Sequence, residues 1–174
     1  MTPVAQSGDS PGDEVKSATF TGPVLNLEVG SIAYGGYIFY LGEDGHGLVC
    51  TMNDYGWTGW SSDFGLTGAT ATALFTGQSN TTIIINAGLG NTAAGIYNGL
   101  VQNGYDDWFM PSRDELSLMC TNLKQNDIGG FISDSYMSSS DYDYFFVISV
   151  YFGDCGTGLV DKPNGAILRC VRQF

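Results

Sequence analysis

GYDDWFMPSRDELSLMCTNL, residues 104–123, carries the clearest structural signal in the chain. Pro111 leads into Ser112-Arg113-Asp114-Glu115, an S-x-x-E capping box in which the Ser hydroxyl and the Glu carboxylate each accept a backbone N–H left over at a helix start. Leu116, Met119, Cys120 and Leu123 then recur at helical spacing, so one apolar stripe faces a core. The pattern predicts a structural helix, with Ser112 as its N-cap and Trp108 packed beneath it.

Upstream, Asn91-Thr92 caps a predicted helix with the apolar face Ala93, Ile96, Tyr97, Leu100 and Val101, ending near Gly104. Further back, GSIAYGGYIFYLGEDGHGLVCTM, residues 30–52, holds two apolar, β-prone runs around Glu43-Asp44-Gly45-His46-Gly47, which reads as a β-hairpin. Between them, residues 53–90 are rich in Gly, Thr, Ser and Asn, broken by Trp57, Trp60, Phe75 and Ile83 to Ile85. Long loops pinned by aromatic anchors, with sparse regular structure, are expected there. Downstream come short strand-like runs, the last, Ala166 to Arg172, alternating as a strand that returns to the core with Arg169 and Val171 in it. The fold class is α+β, with two helices, short antiparallel strands and long Gly/Ser/Thr/Asn-rich loops.

A chain of 174 residues suits one domain with its own core. Residues 1–22, poor in large apolar groups, read as a flexible N-terminal arm, and residues 23–174 as the domain. Six basic against eighteen acidic residues give a net charge of −12, which repels a phosphate backbone and argues against nucleic acid as a partner. No run approaches the ~20 apolar residues that span a bilayer, so membrane insertion is not expected. The opening MTPVAQSGDSPGDEVK has neither the basic start nor the apolar core of a secretory signal.

No catalytic set emerges. The single histidine, His46, lies in a Gly-flanked turn with no nucleophile motif beside it, and reads as a solvated turn residue. Asp106-Asp107 reads as turn formation and capping, with calcium binding as the sharper minority reading. Gly88, Gly90 and Gly95 lack the Lys-Ser/Thr pair of a phosphate loop. Cys50, Cys120, Cys155 and Cys170 contain no C-x-x-C pair, so zinc and redox spacings are missing. Cys50 and Cys120 sit in apolar patterns and read as buried free thiols. Cys155 and Cys170 leave a disulfide open. No cofactor and no metal are expected.

The informative segment is YDYFFVISVYF, residues 142–152, in which six of eleven residues are aromatic. It does not alternate as a half-buried strand should, so either both faces are buried or part of the aromatic surface is offered to a ligand. The following Gly-, Asp- and Asn-rich residues 153–168 suit a loop that presents side chains from a rigid scaffold.

GGYIFYLGEDGHGLV (35–49), the 104–123 stretch, IGGF (128–131), YMSSSDY (136–142) and RCVRQF (169–174) together resemble the lectin-like domain at the C-terminus of the Legionella collagen-like adhesin, a family found in many bacterial and phage proteins. The resemblance runs from about Gly30 to Phe174. It is most specific at Asp107 to Ser112 and at the Ser138-Ser139-Ser140 turn. It departs at Met137, where the family usually has Trp, and near Ile148, where a second Trp is common. The resemblance implies a C-type-lectin fold. It also implies kinship with the variable target proteins of diversity-generating retroelements, in which reverse transcription randomises adenines in a C-terminal repeat whose side chains line the ligand surface. Randomised Asn codons never yield Lys, Glu, Gln, Trp or Met. Between Tyr142 and Leu168 one of 27 residues, Lys162, belongs to that set, where the upstream frequency of 18 in 141 predicts about three. Phe145-Phe146, Leu159-Val160 and Cys155, unusual for a loop, point the same way.

Lys162-Pro163-Asn164 resembles the Glu-Pro-Asn sugar motif of vertebrate calcium lectins, but Lys replaces the acidic ligand and no Trp-Asn-Asp partner follows, which argues against calcium-dependent sugar binding. The formylglycine-generating enzymes share the broad fold and depend on reactive cysteines, and nothing around Cys155 or Cys170 matches them. The resemblance and the side-chain chemistry together imply a cofactor-free binding protein at a virion or cell surface, with a macromolecular ligand. Its variable region is about 142–168 and its site is Asp143, Tyr144, Phe145, Phe146, Ser149, Tyr151, Asp154, Thr157, Leu159, Val160, Pro163 and Asn164. An adhesin with a fixed surface is the alternative, and a cysteine-dependent enzyme a distant third.

Overall fold

In the computed structural model, which describes residues 27–174, the predicted hairpin is β2 (Gly36–Leu41) and β3 (Gly47–Cys50), preceded by the short β1 (Ile32–Ala33). Its turn closes through Gly42 N–H to the His46 carbonyl, the Asp44 carboxylate accepts from His46 N–H, and Gly45 takes the left-handed conformation (φ +84°) that a side chain would resist. The expected N-terminal arm, residues 1–22, lies outside the described residues. After β4 (Trp57–Thr58) come three helices: α1 (Gly77–Ala87), α2 (Ala93–Tyr97) and α3 (Arg113–Asn122). They are followed by β5 (Ser135–Asp141), β6 (Phe146–Tyr151), β7 (Gly156–Asp161), β8 (Ala166–Ile167) and β9 (Val171–Gln173).

The strands form two sheets, one ordered β1-β2-β3-β9 and the other β4-β8-β5-β6-β7. All pairings are antiparallel except β5 with β8, so the fold is α+β with two mostly antiparallel sheets. Two apolar clusters fill the interior. One gathers Leu116, Met119, Cys120 and Leu123 of the helical stripe with Phe109, Tyr136, Val150 and Phe152. The other holds Trp60, Trp108, Ile84, Met137 and Val147.

α3 is built as its sequence predicts. Ser112 Oγ accepts from Glu115 N–H (3.4 Å) and Glu115 Oε2 accepts from Ser112 N–H (2.8 Å), both side chains being buried. Trp108 is buried but does not lie beneath this helix. Its ring sits over Gly35 and Gly36 and its Nε1–H donates to the Gln102 carbonyl, while the adjacent Phe109 packs under α3. The two residues leave the chain on opposite sides, so one side chain serves each cluster.

Other expectations need correction. α1 occupies a region expected to be loop. Its β-branched Thr81 to Ile85 are poor helix formers, and Thr76 makes no side-chain cap. Tertiary contacts override that preference: Gly77 N–H donates to Glu115, Asn80 Nδ2–H to the Ala71 carbonyl, and Thr81 Oγ1 accepts from Met110 N–H. α2 is capped by Thr92, whose Oγ1 accepts from Gly95 N–H, but it ends at Tyr97, and Ile96 and Val101 of its expected apolar face are exposed. The expected final strand is two, because the chain crosses between sheets at Leu168 to Cys170. Residues 166–171 are therefore all buried and do not alternate. Cys120 is no free thiol. It is joined to Cys155 (Cα–Cα 5.7 Å), tying the β6–β7 turn to α3, and Cys50 and Cys170 are the free pair.

Candidate recognition face

The β5–β6 connection is a tight turn made by Asp143, whose Oδ1 accepts from Phe145 N–H (2.8 Å) and Phe146 N–H (2.7 Å). An Asp whose carboxylate holds the backbone two and three residues on frees the intervening side chains to point outward. Tyr144 and Phe145 are accordingly about half exposed. They meet each other edge to face at 5.0 Å, and Phe64, from the loop after β4, joins them at 6.4 Å from Tyr144 and 5.3 Å from Phe145. The result is an exposed three-ring patch.

What holds that patch in place lies directly below it. Lys162 is fully buried, with Nζ 2.6 Å from Asp141 Oδ1, and it donates to the carbonyls of Asp143 (2.7 Å) and Gly65. Asp141 Oδ2 in turn accepts from the N–H and hydroxyl of Thr67. Gly65 N–H donates to the Tyr144 carbonyl, and Lys162 Nζ stands 5.0 Å from the Trp60 ring. One buried ammonium thus pins the turn bearing Tyr144 and Phe145 to the loop bearing Phe64.

Of the twelve site residues read from the sequence, Tyr144, Phe145, Tyr151, Asp154, Thr157, Leu159, Pro163 and Asn164 are exposed, and Asp143, Phe146 and Val160 are partly so. Ser149 is the exception. It is buried, with Gly158 of β7 opposite it on one side and Met137 of β5 on the other. The structure adds Phe64 and Trp57, the latter read as an anchor, which are 42% and 58% exposed. Trp57 Nε1–H donates to the Asn164 carbonyl. Trp60 is the true anchor of that region, fully buried with Nε1–H on the Ser138 carbonyl. The sequence signal for Phe64 and Trp57 is present, large rings among Gly, Ser and Thr, but exposure and burial look alike there.

The other chemical candidates are committed to structure. Arg169 donates to Asp54, the Thr51 carbonyl and the Gly129 carbonyl and lies over the Phe131 ring, so it floors a cleft of about 460 Å³ beside Tyr37 and Asn53 with its guanidinium already engaged. Asp107 pairs with Arg172, which stacks on Tyr105. His46 is exposed, with Nδ1 3.2 Å from the Phe174 carbonyl oxygen. Burial pushes the Cys50 thiol up to about 12 and the Cys170 thiol up as well, against the pull of Arg169. That is the opposite of what activates a cysteine. Among the described residues no group of three or more His, Cys, Asp or Glu side chains is arranged to hold a metal ion, and no helix is long and apolar enough to cross a membrane. Compared with known proteins, the chain matches no protein-family model and no curated sequence.

Proposed function

We propose that this chain is a ligand-binding module of C-type-lectin-like fold, not an enzyme. It acts without a cofactor, it recognises a protein or cell-surface ligand, and its segment 142–168 is diversified by a retroelement. The observation that carries the reading is the exposed patch of Phe64, Tyr144 and Phe145 standing on a sealed Lys162–Asp141 pair. Large, stiff rings give contact area at little rotamer cost, and a rigid support beneath them lowers the cost of ordering on binding. The composition of the segment adds support. Its one residue outside the set that randomised Asn codons can give, Lys162, is buried and structural, and the exposed positions all fall within the set. The Cys120–Cys155 disulfide suits a protein displayed on a virion or cell surface, since such bonds persist in oxidising surroundings.

Two experiments test this. On arrays of glycans and surface proteins, the chain should give ligands that the combined Phe64→Ser, Tyr144→Ser, Phe145→Ser variant loses while its melting temperature stays within a few degrees. Ligands retained by that variant would place recognition elsewhere. The genomic locus should carry a near-identical repeat differing at adenines and a reverse transcriptase gene. Without them the surface is fixed, as in an adhesin.

A further inference from the structure

A sheet has two edges, and each presents a row of backbone groups that another strand can pair with unless it is shortened, charged or bent away. Among the described residues three of the four edge strands are stubs: β1 and β4 have two residues each and β9 has three. The fourth, β7, runs six residues, Gly156 to Asp161, and contains no Lys, Arg or Pro. Its register with β6 is unbroken from Phe146↔Asp161 to Tyr151↔Gly156, so no bulge turns it aside. The Lys162 N–H donates to the Phe145 carbonyl. By strict alternation the even-numbered residues of β7 then face β6, and Thr157, Leu159 and Asp161 direct their backbone outward. The Asp161 carbonyl confirms this parity, being taken from outside β6 by Gly165 N–H. Among the described residues, no partner meets the outward N–H and C=O of Thr157 and Leu159. Both side chains are exposed.

Charge selects the occupant. Asp143, Asp154 and Asp161 flank this edge, each bonded only to local amide groups. All five basic side chains among the described residues are already engaged: Arg113 with Asp114, Lys124 with the Phe131 carbonyl, Lys162 with Asp141, Arg169 with Asp54 and Arg172 with Asp107. A second copy pairing β7 to β7 would bring the same carboxylates together between two chains of net charge −12. We propose that β7 accepts an extended, Lys- or Arg-bearing segment of a partner polypeptide as a sixth strand, beside the aromatic patch. This rests on the recognition reading above and specifies the partner's chemistry and mode of docking.

The test is a selection of random twelve-residue peptides on the immobilised full chain, followed by amide hydrogen exchange of the complex. Enriched peptides should be basic, should lose affinity at least tenfold when their pairing amides are N-methylated, and should slow exchange at Thr157, Leu159 and Asp161. Leu159→Pro, which removes one outward donor at an edge that tolerates Pro, should weaken them tenfold or more. The proposal fails if no peptide is enriched, if enriched peptides carry no excess of Lys and Arg, or if those three amides stay unprotected. It also fails if the free chain already protects them, whether through a dimer that dilution dissolves or through residues 1–26, whose deletion would then restore exchange. Peptides that leave the β7 amides unprotected yet depend on Tyr144 and Phe145 would overturn the edge while leaving the aromatic face standing.

Discussion

Lys162 Nζ and Asp141 Oδ1 lie 2.6 Å apart with neither side chain reaching solvent, joining the end of β7 to the end of β5 beneath the exposed rings. A buried pair is costly to break from one side, because the remaining charge is stranded in a medium that cannot solvate it. We expect Lys162→Met to lower unfolding free energy by about 3–5 kcal/mol in urea titrations, and Lys162→Met combined with Asp141→Asn to recover much of that loss. A single-variant loss under about 1 kcal/mol, the size of a surface pair, would mean the bridge does not hold the base of the patch.

Ser112 supplies the N-cap of α3 and also donates its hydroxyl to the Ala73 carbonyl. Ser112→Ala should destabilise the protein by roughly 1 kcal/mol through the lost cap, rising toward about 2 kcal/mol as the Ala73 bond is lost with it. Ligand binding should be unaffected where the variant remains fully folded. Loss of binding with no change in stability would mean that α3 belongs to the recognition face.

Glu115 completes the same capping box while fully buried, and burial raises its carboxyl above the ordinary 4.5, opposed by backbone hydrogen bonds from Ser112 and Gly77. A carboxyl whose pKa is higher folded than unfolded binds its proton more tightly in the native state. Its contribution therefore declines as pH rises from about 4.5 through the folded value, and the full loss persists above it. Glu115→Gln can keep the Ser112 bond of the box, gives up the Gly77 bond and removes the titration, so its stability should change less with pH than that of the wild type over this interval. Parallel pH profiles would show that the backbone donors already offset the burial completely.

Cys155 sits in a left-handed turn position (φ +62°), and its bond to Cys120 closes a loop spanning 35 residues of sequence. Cys155→Ser should cost about 2–4 kcal/mol, and reductant should lower the melting temperature of the wild type but not of the variant. The buried Cys50 and Cys170 should resist a thiol reagent in the native protein and both react once it is unfolded. Rapid native labelling of either would contradict their burial.

The sequence disclosed what depends on local chemistry. The capping box at Ser112 and Glu115, the Asp44–Gly45 turn and the four-residue stripe of α3 all follow from neighbours within a few positions. It concealed what depends on distant contacts. α1 exists because Glu115 and Met110 reach across to Gly77 and Thr81, and no property of Thr81 to Ile85 announces that. The pairing of Cys120 with Cys155 reflects how β6–β7 lies on α3, which spacing cannot supply. The aromatic run placed eleven of the twelve chosen residues at least partly in solvent, yet Phe64 was missed because it reaches the patch only through Lys162 and Gly65.

β9 pairs Leu48 with Gln173, Val49 with Arg172 and Cys50 with Val171, so the first sheet is completed by residues that follow the whole 142–168 segment in the gene. A substitution within 142–168 leaves those residues intact. An insertion or deletion there that shifts the reading frame replaces Arg169, Cys170 and Val171 and leaves the edge of β3 bare. The clasp therefore makes folding report on the reading frame: substitution at the exposed positions of 142–168 can be broad in residue type, Lys162, Cys155 and the buried residues of the segment cannot vary so freely, and only products still in register become stable protein.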